Sequence, residues 1–182
     1  MTSNFPMQHG NTRLLAAAVV LGLVAWLAGP AQAQYADLDR ADWVEDDVPP
    51  PPEYGLHSLV DIEMPHTSNI RMGLVPDSLQ PNVETGIVRY VVVARGPSAV
   101  NASYEGIRCA TGEYRIYARQ VQGGEWIPAR NSSWKAMRGT GGVQVPYPYQ
   151  LARNGLCLGP AIRTDTAEIL RELKSGNRSL YY

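Results

Sequence analysis

Two groups of side chains in this sequence could do chemistry, and the first consists of acid–base candidates. His57, Asp61, Glu63 and His66 follow one another within ten positions. In an extended strand, His57, Asp61 and Glu63 would share one face, so a small exported hydrolase that uses His57 and Asp61 is geometrically allowed. The same pattern is typical of an edge strand whose polar side chains discourage pairing with another chain. We expect the edge strand rather than a catalytic site.

The second group combines arginine with aromatic side chains. In the segment EYRIYAR, alternation puts Arg115, Tyr117 and Arg119 on one outward strand face, and Trp126 and Trp134 follow nearby. Guanidinium groups and aromatic rings bind carboxylates, phosphates and protein surfaces through planar hydrogen bonds and cation–π contacts. Alternatively, the tryptophans fill the core and the arginines form a solvated face. We predict a binding surface whose partner is a protein or a cell-envelope component.

Other patterns of catalysis or cofactor binding are missing from the sequence. There is no G-x-S-x-G elbow, no H-E-x-x-H and no C-x-x-C, and the glycine-rich stretch at 139–142 lacks the residues that complete a phosphate loop. The two cysteines lie far from the histidines, unlike the closely spaced ligands of zinc sites. We therefore predict that the protein is not an enzyme and holds no metal or cofactor, with the hydrolase as the alternative.

Residues 1–33 have the layout of a secretory signal peptide. Arg13 precedes the apolar run from Leu14 to Ala28, and an A-x-A sequence ends at Ala33. An uncleaved membrane anchor is the alternative, which the length disfavours, since the run is shorter than the ~20 residues of a membrane-spanning helix and no later run approaches it. We predict cleavage before Gln34, a periplasmic protein that could associate with the outer membrane, and no transmembrane segment in the mature chain.

The two cysteines of the chain, Cys109 and Cys157, are predicted to form a disulfide. A signal peptide sends the chain to an oxidising compartment, where two cysteines pair. The alternative is that the two cysteines bind a metal ion as thiolates. The histidines lie too far away in the sequence to favour this alternative. We interpret the bridge as structural.

Residues 34–54 are predicted to be an acidic, proline-rich, disordered leader. Seven acids against Arg40 give it a net charge of −6, and Pro49–Pro52 favours an extended spacer. Alternatively, the acids dock on a basic partner or on the domain itself, with Trp43 and Val44 as an apolar anchor. After the leader, ten acids face fourteen basic residues, and this excess of +4 is too weak to indicate a nucleic-acid partner.

The body of the protein, residues 55–182, is predicted to be a single globular domain with an antiparallel sheet. Residues 65–85 hold three prolines and read as a loop. The run IVRYVVVAR is apolar on both faces, which is typical of a central strand. The two strands after it are predicted to form a β-hairpin across a short loop that contains Gly112. The predicted strands are 57–64, 87–95, 102–109, 113–121 and 125–127.

Two helices are predicted after the strands. The first runs from Pro148 through Arg153 and is terminated by Asn154-Gly155, shortly before Cys157. The second covers 166–174, where Asp165 and Glu168 have the spacing of a capping box. The sequence thus predicts an α+β fold: an antiparallel sheet of four to five strands with C-terminal helices on one face and one disulfide.

Several of these segments together resemble a known family. The runs GIVRYVVVAR, NASYEGIRC and EYRIYAR, the turn before Trp126, Trp134 and Cys157 are similar to the cryptic neisserial protein-like family of proteobacterial exported proteins. The resemblance covers Asp61 to Gly176 and is most specific at YEGIRC. It implies an uncharacterised exported domain with no assigned catalytic residues. More distantly, the order of cysteines, tyrosines and tryptophan resembles the surface adhesin protein E group.

Overall fold

The computed structural model describes residues 42–64, 68–137 and 147–176, and these residues are mostly β. The strands are β1 Val60–Ile62, β2 Arg71–Leu74, β3 Gln80–Asn82, β4 Ile87–Arg95, β5 Val100–Arg108, β6 Glu113–Val121, β7 Trp126–Pro128, β8 Lys135–Ala136, β9 Cys157–Leu158 and β10 Ala161–Ile162. The helices are α1, Tyr147–Leu151, which continues into a π-helical turn at Ala152–Leu156, and α2, Thr166–Gly176. The predicted signal peptide, residues 1–33, lies outside the described residues, as do His66 and the stretch 139–142.

Strands β1 to β8 form one antiparallel sheet, and β9 pairs with β10 in a second, small one. The order of the large sheet is β1-β2-β4-β5-β6-β7. β3 pairs with the start of β4, and β2 pairs with the end of β4. On the other side of the sheet, β8 pairs with the start of β6, and β7 pairs with the end of β6. The three nine-residue strands β4, β5 and β6 therefore form the centre of the sheet.

The predicted α+β class with four to five strands is wrong, because the described residues form a sheet of eight strands with only two helices. Residues 65–85, predicted to be a loop, contain β2 and β3. These strands are four and three residues long, which is too short to show alternation, and Pro81 lies in β3. Proline is tolerated there because β3 is an edge strand that pairs only with β4.

The longer elements agree with the sequence predictions. The central strand β4 is buried on both faces over its first seven residues, and β5 and β6 form the predicted hairpin. Helix α2 begins at the predicted residue, and the backbone N–H of Ala167 donates to the Asp165 side chain at 2.8 Å. Strong local periodicity and capping therefore identified these elements.

Both faces of the large sheet are covered. The helix face, with Val88, Tyr90 and Val92 of β4, packs against α1, the π-helical turn and α2. The opposite face, which we name the arginine face, carries Arg89 of β4, Arg108 of β5 and Arg115 of β6. It also holds a smaller apolar cluster; the fully or nearly fully buried members are Val75, Val91, Val93, Ala102, Tyr104, Tyr117 and Ala118.

The predicted disulfide between Cys109 and Cys157 is confirmed. It connects the residue after β5 to the first residue of β9, with 5.7 Å between the two Cα atoms. Cys109 is buried in the same cluster as Leu156 and Ile169. The bridge thus fixes the C-terminal helical segment to the central hairpin.

Replacing both cysteines by alanine should lower the free energy of unfolding. The bridge closes a loop with a sequence separation of 48 residues, and on the chain-entropy model such a loop stabilises by about 4 kcal/mol. Urea unfolding of the oxidised and the double-alanine chains measures the difference. Leu158→Ala, an exposed change beside the bridge, is the control. Equal unfolding midpoints for the bridged and unbridged chains would contradict the prediction.

Candidate functional site

The acidic segment ahead of the sheet is bound to the domain itself. Residues 42–54, which we name the strap, lie against the arginine face through Trp43, Glu45, Asp46 and Tyr54. This corresponds to the docked alternative and not to a solvated leader. Trp43 is the apolar anchor, whereas the side chain of Val44 is 80 % exposed. Residues 34–41 lie outside the described residues.

Four side chains hold the carboxylate of Glu45. Its Oε1 accepts hydrogen bonds from Arg89 at 3.1 Å and from the Tyr117 hydroxyl at 2.6 Å. Its Oε2 accepts from Arg115 at 2.6 Å and from Trp134 Nε1 at 3.2 Å. We name Arg89, Arg115, Tyr117 and Trp134 the carboxylate cage. Two of the four donors are guanidinium groups, so the hydrogen bonds are of the strong, charge-assisted kind.

Arg89 is the reason that this face needs an acidic partner. It lies within the central strand β4 and is 2 % exposed. A buried charge that loses its partner destabilises a fold by several kcal/mol. Glu45 and Asp46 both pair with Arg89, and the Arg89 hydrogen bond lowers the pKa of Asp46 below its ordinary value. The two strap acids therefore neutralise a guanidinium group that is buried once the strap is bound.

Trp43 fixes the N-terminal end of the strap. The Arg108 guanidinium lies 3.8 Å from the centroid of the Trp43 ring, a cation–π contact. The Trp43 indole N–H donates to the carbonyl of Thr85 at 3.1 Å, and its ring meets Trp134 edge to face. Trp43 therefore joins the strap to the same group of residues that holds Glu45.

A β-bulge decides which side chains of β6 reach the cage. Tyr104 pairs with Ala118 and Glu105 with Ile116, so Tyr117 is the extra residue. Its ring covers Gly106, where an added Cβ would lie 2.5 Å from the Tyr117 hydroxyl. Only glycine leaves this space free. Gly106 and the bulge together place the Tyr117 hydroxyl against Glu45.

The bulge also reverses the alternation beyond Tyr117. Arg119 pairs with Ser103 and so lies on the helix face, opposite Arg115. The prediction that Arg115, Tyr117 and Arg119 share a face is therefore wrong for Arg119. The structure brings Arg115, Tyr117 and Trp134 together in the cage and places Trp126 elsewhere, in β7 at the end of the sheet.

Trp126 lines an open groove of about 840 Å³. One wall carries Tyr54, whose ring meets Trp126 edge to face at 6.0 Å and whose hydroxyl donates to Gln120. Gln122 has φ +52°, the left-handed conformation that a two-residue turn between antiparallel strands favours. It forms a tight turn with Gly123 at the groove edge. Two aromatic rings and two side-chain amides thus line the groove beside aliphatic and small residues.

A polar cluster that the sequence prediction missed lies on the helix face. Glu105 is fully buried and accepts hydrogen bonds from the Ser103 and Tyr147 hydroxyls, both at 2.5 Å, and from Tyr90 at 3.4 Å. Burial raises the pKa of Glu105, and these hydrogen bonds lower it in part. The one sequence signal was an acid at an inward position of the run YEGIRC.

The acid–base candidates are not arranged as the alternation of a strand predicts. The first strand is only Val60–Ile62, and His57 lies in a bend ahead of it. Ser58 has φ +60°, which turns the chain between His57 and Asp61. The side chains of His57 and Asp61 are both exposed. His57 therefore lies outside the strand that carries Asp61, and the predicted shared strand face of His57, Asp61 and Glu63 is not formed.

Across residues 42–64, 68–137 and 147–176, no cluster of three or more His, Cys, Asp or Glu is placed to hold a metal ion. No helix within those ranges has the length and apolar character required to span a membrane.

The fold and site define a class of small, mostly-β domain, closed by one disulfide, that binds its own acidic N-terminal segment through arginines of its sheet. The chain belongs to the CNP1-like family, whose family model matches residues 38–174. This match includes the strap and is consistent with the resemblance to the cryptic neisserial protein-like family; it does not support the likeness to surface adhesin protein E. No curated protein and no solved structure matches the chain.

Glu105→Gln should stabilise the protein more at pH 8 than at pH 4. Because the folded-state pKa of Glu105 is raised, the folded chain binds this proton more tightly than the unfolded chain. Stability is therefore lost as pH rises from the ordinary value through the raised one. A glutamine is neutral at both pH values and its oxygen still accepts from Ser103 and Tyr147. Thermal unfolding at both pH values measures the difference.

The exposed Glu84→Gln is the matched control and should change the melting temperature alike at the two pH values. If Glu105→Gln destabilised the chain as much at pH 8 as at pH 4, the carboxylate would be the favoured form in the folded state, and the assignment of burial as the dominant effect would be wrong.

Proposed function

We propose that this chain is an exported, non-catalytic binding module of the bacterial cell envelope, and that its ligand is a neutral glycan chain held in the groove beside Trp126. The proposal rests on one observation, the open groove in which an accessible tryptophan, a tyrosine and amide side chains come together. The other predicted contact residues do not carry it, because Arg115, Tyr117 and Trp134 are engaged by Glu45.

The chemistry of the groove favours a neutral polar ligand. Aromatic rings pack against the C–H faces of sugars while their polar atoms bind hydroxyl groups, and amides donate and accept hydrogen bonds without a charge. Among the described residues that line the groove, only Glu53 is charged. A pocket with apolar walls and a few placed polar groups is the usual form of a ligand site.

The groove is also held in shape by contacts that need no ligand. The side-chain amide of Gln120 donates to the carbonyl of Gly124 at 2.8 Å and accepts from Tyr54. The backbone N–H of Gln122 donates to the carbonyl of Val100 at 2.8 Å. Preformed sites bind with a smaller entropic cost. The alternative of a hydrolase with His57 and Asp61 has no comparable arrangement in its favour.

Export is tested by finding the cell compartment that holds the protein and the residue at which the recovered chain begins. Expressed as the full chain in a Gram-negative host, the protein should be recovered from the periplasmic fraction with an intact mass that begins at Gln34 and contains no free thiol. Ala33→Lys should block cleavage, because the signal peptidase needs a small residue there. Recovery of unprocessed wild-type chain from the cytoplasm would contradict the proposal.

Trp126→Ala should weaken binding of glycan to the groove. Loss of the aromatic wall is expected to lower the affinity by roughly tenfold, equivalent to about 1.4 kcal/mol. The measurement is isothermal titration with soluble cell-wall glycan chains freed of their peptides. Ile127→Ala, the neighbouring exposed residue that does not line the groove, is the control. Equal affinities for wild type and Trp126→Ala, with unchanged melting temperatures, would reject the groove as the site.

A further inference from the structure

The strap is attached by side chains and is not a strand of the sheet. None of residues 43–54 is in a strand. The contacts are concentrated at Trp43, Glu45 and Asp46, while Val44 between them is exposed to solvent. A segment with few buried apolar contacts opens at a lower free energy than the core does. In its contacts the strap resembles a bound peptide.

Three of the four donors of the cage also have contacts that do not involve the strap. Arg115 donates from Nε to the Ser132 hydroxyl at 3.0 Å. The Tyr117 ring packs on Tyr104 with 5.4 Å between centroids and meets Trp134 edge to face at 6.5 Å. These contacts support Arg115, Tyr117 and Trp134 independently of Glu45, so a second carboxylate finds three of the four donors preorganised.

Without the strap, the arginine face would present the guanidinium groups of Arg89 and Arg115, while Arg108 keeps its pair with Glu113 at 3.9 Å. Arg89 and Arg115 both donate to Glu45, and Arg108 stacks on Trp43 a short distance along the same face. Guanidinium groups in this arrangement suit carboxylates in particular, since their planar donors match carboxylate oxygens. The face is thus complementary to an acidic segment that also carries an aromatic side chain.

We propose that the carboxylate cage is a receptor for an acidic segment of a partner protein, and that the strap is its intramolecular occupant. The segment that fits has a glutamate for the cage, a tryptophan two residues before it for Arg108, and an acidic residue directly after it for Arg89. These are the positions of Trp43, Glu45 and Asp46 in the strap.

The strap then sets a threshold for the partner. A tethered segment competes at an effective concentration of the order of millimolar. A partner must therefore bind with several contacts or have its own high local concentration to displace it. The cage and the groove have different proposed ligands, and Arg115→Ala and Trp126→Ala test them separately.

The test uses the full oxidised chain and a fluorescent peptide with the sequence of residues 41–52. Trp43→Ala/Glu45→Ala should release the strap from the cage. Fluorescence anisotropy should then show that the peptide binds this variant at least roughly tenfold more tightly than it binds wild type, because the tethered competitor is removed. A peptide with glutamine in place of its Glu45 should lose most of this affinity.

Specificity is tested by adding Arg115→Ala to the released chain. Removal of one charge-assisted donor should weaken peptide binding by about tenfold or more, whereas Arg119→Ala, on the opposite face, should leave it unchanged. Equal peptide binding by wild type and the released chain, or binding that ignores Arg115, would overturn the proposal.

Two further results would also decide the proposal: a double variant that does not fold, and a wild-type protein that is a dimer. If circular dichroism shows that the double variant does not fold, Asp46→Asn replaces it, since Asp46 lies at the exposed end of the pair with Arg89. That variant must still bind the peptide more tightly than wild type, or the proposal fails. Light scattering of the wild-type protein gives its oligomeric state with and without the peptide. If it showed a dimer that the peptide dissociates, the occupant of the cage would be a second copy of this chain, and the assignment to another protein would be overturned.

Discussion

The ion pair between Arg89 and the strap acids is the interaction on which the rest of this structure depends. A guanidinium in the central strand is out of reach of bulk water, and the two neighbouring strands offer it no carboxylate on that face. Glu45 and Asp46 supply the charge from more than forty residues away. Breaking such a pair is costly even where the pair itself adds little net stability, because one charge stays buried. The acidic segment consequently supplies the charge that the arginine face requires.

The second constraint is the bulge in β6, because it divides the side chains between two faces. Before the bulge, Arg115 faces the strap; after it, Arg119 faces the helices. The extra residue, Tyr117, has room for its ring only because position 106 is glycine. The Tyr117 hydroxyl of the cage thus comes from a local irregularity of the sheet, and irregularities of this kind commonly lie next to functional sites.

The strap connects the two sites that we propose. Its N-terminal half fills the cage through Glu45, and its C-terminal end supplies Tyr54 to the wall of the groove. Between them the four prolines of 49–52 hold the chain extended. On the helix face the disulfide and the buried Glu105 cluster attach the C-terminal helices to the same central strands. Both faces of β4 and β5 are therefore tied to segments from the ends of the domain.

The sequence by itself determined the elements that have a local signal: β4 from its continuous apolar run, the β5–β6 hairpin from its short loop, and helix α2 from its capping residues. It also determined the disulfide, because the chain has only two cysteines. Only the tertiary structure decided the mostly-β class, because β2 and β3 are too short to carry a period. It also decided the docking of the strap and the position of Arg119. An ion pair between residues 45 and 89 leaves no periodic trace in the chain, and one extra residue in a strand reverses every alternation that follows it.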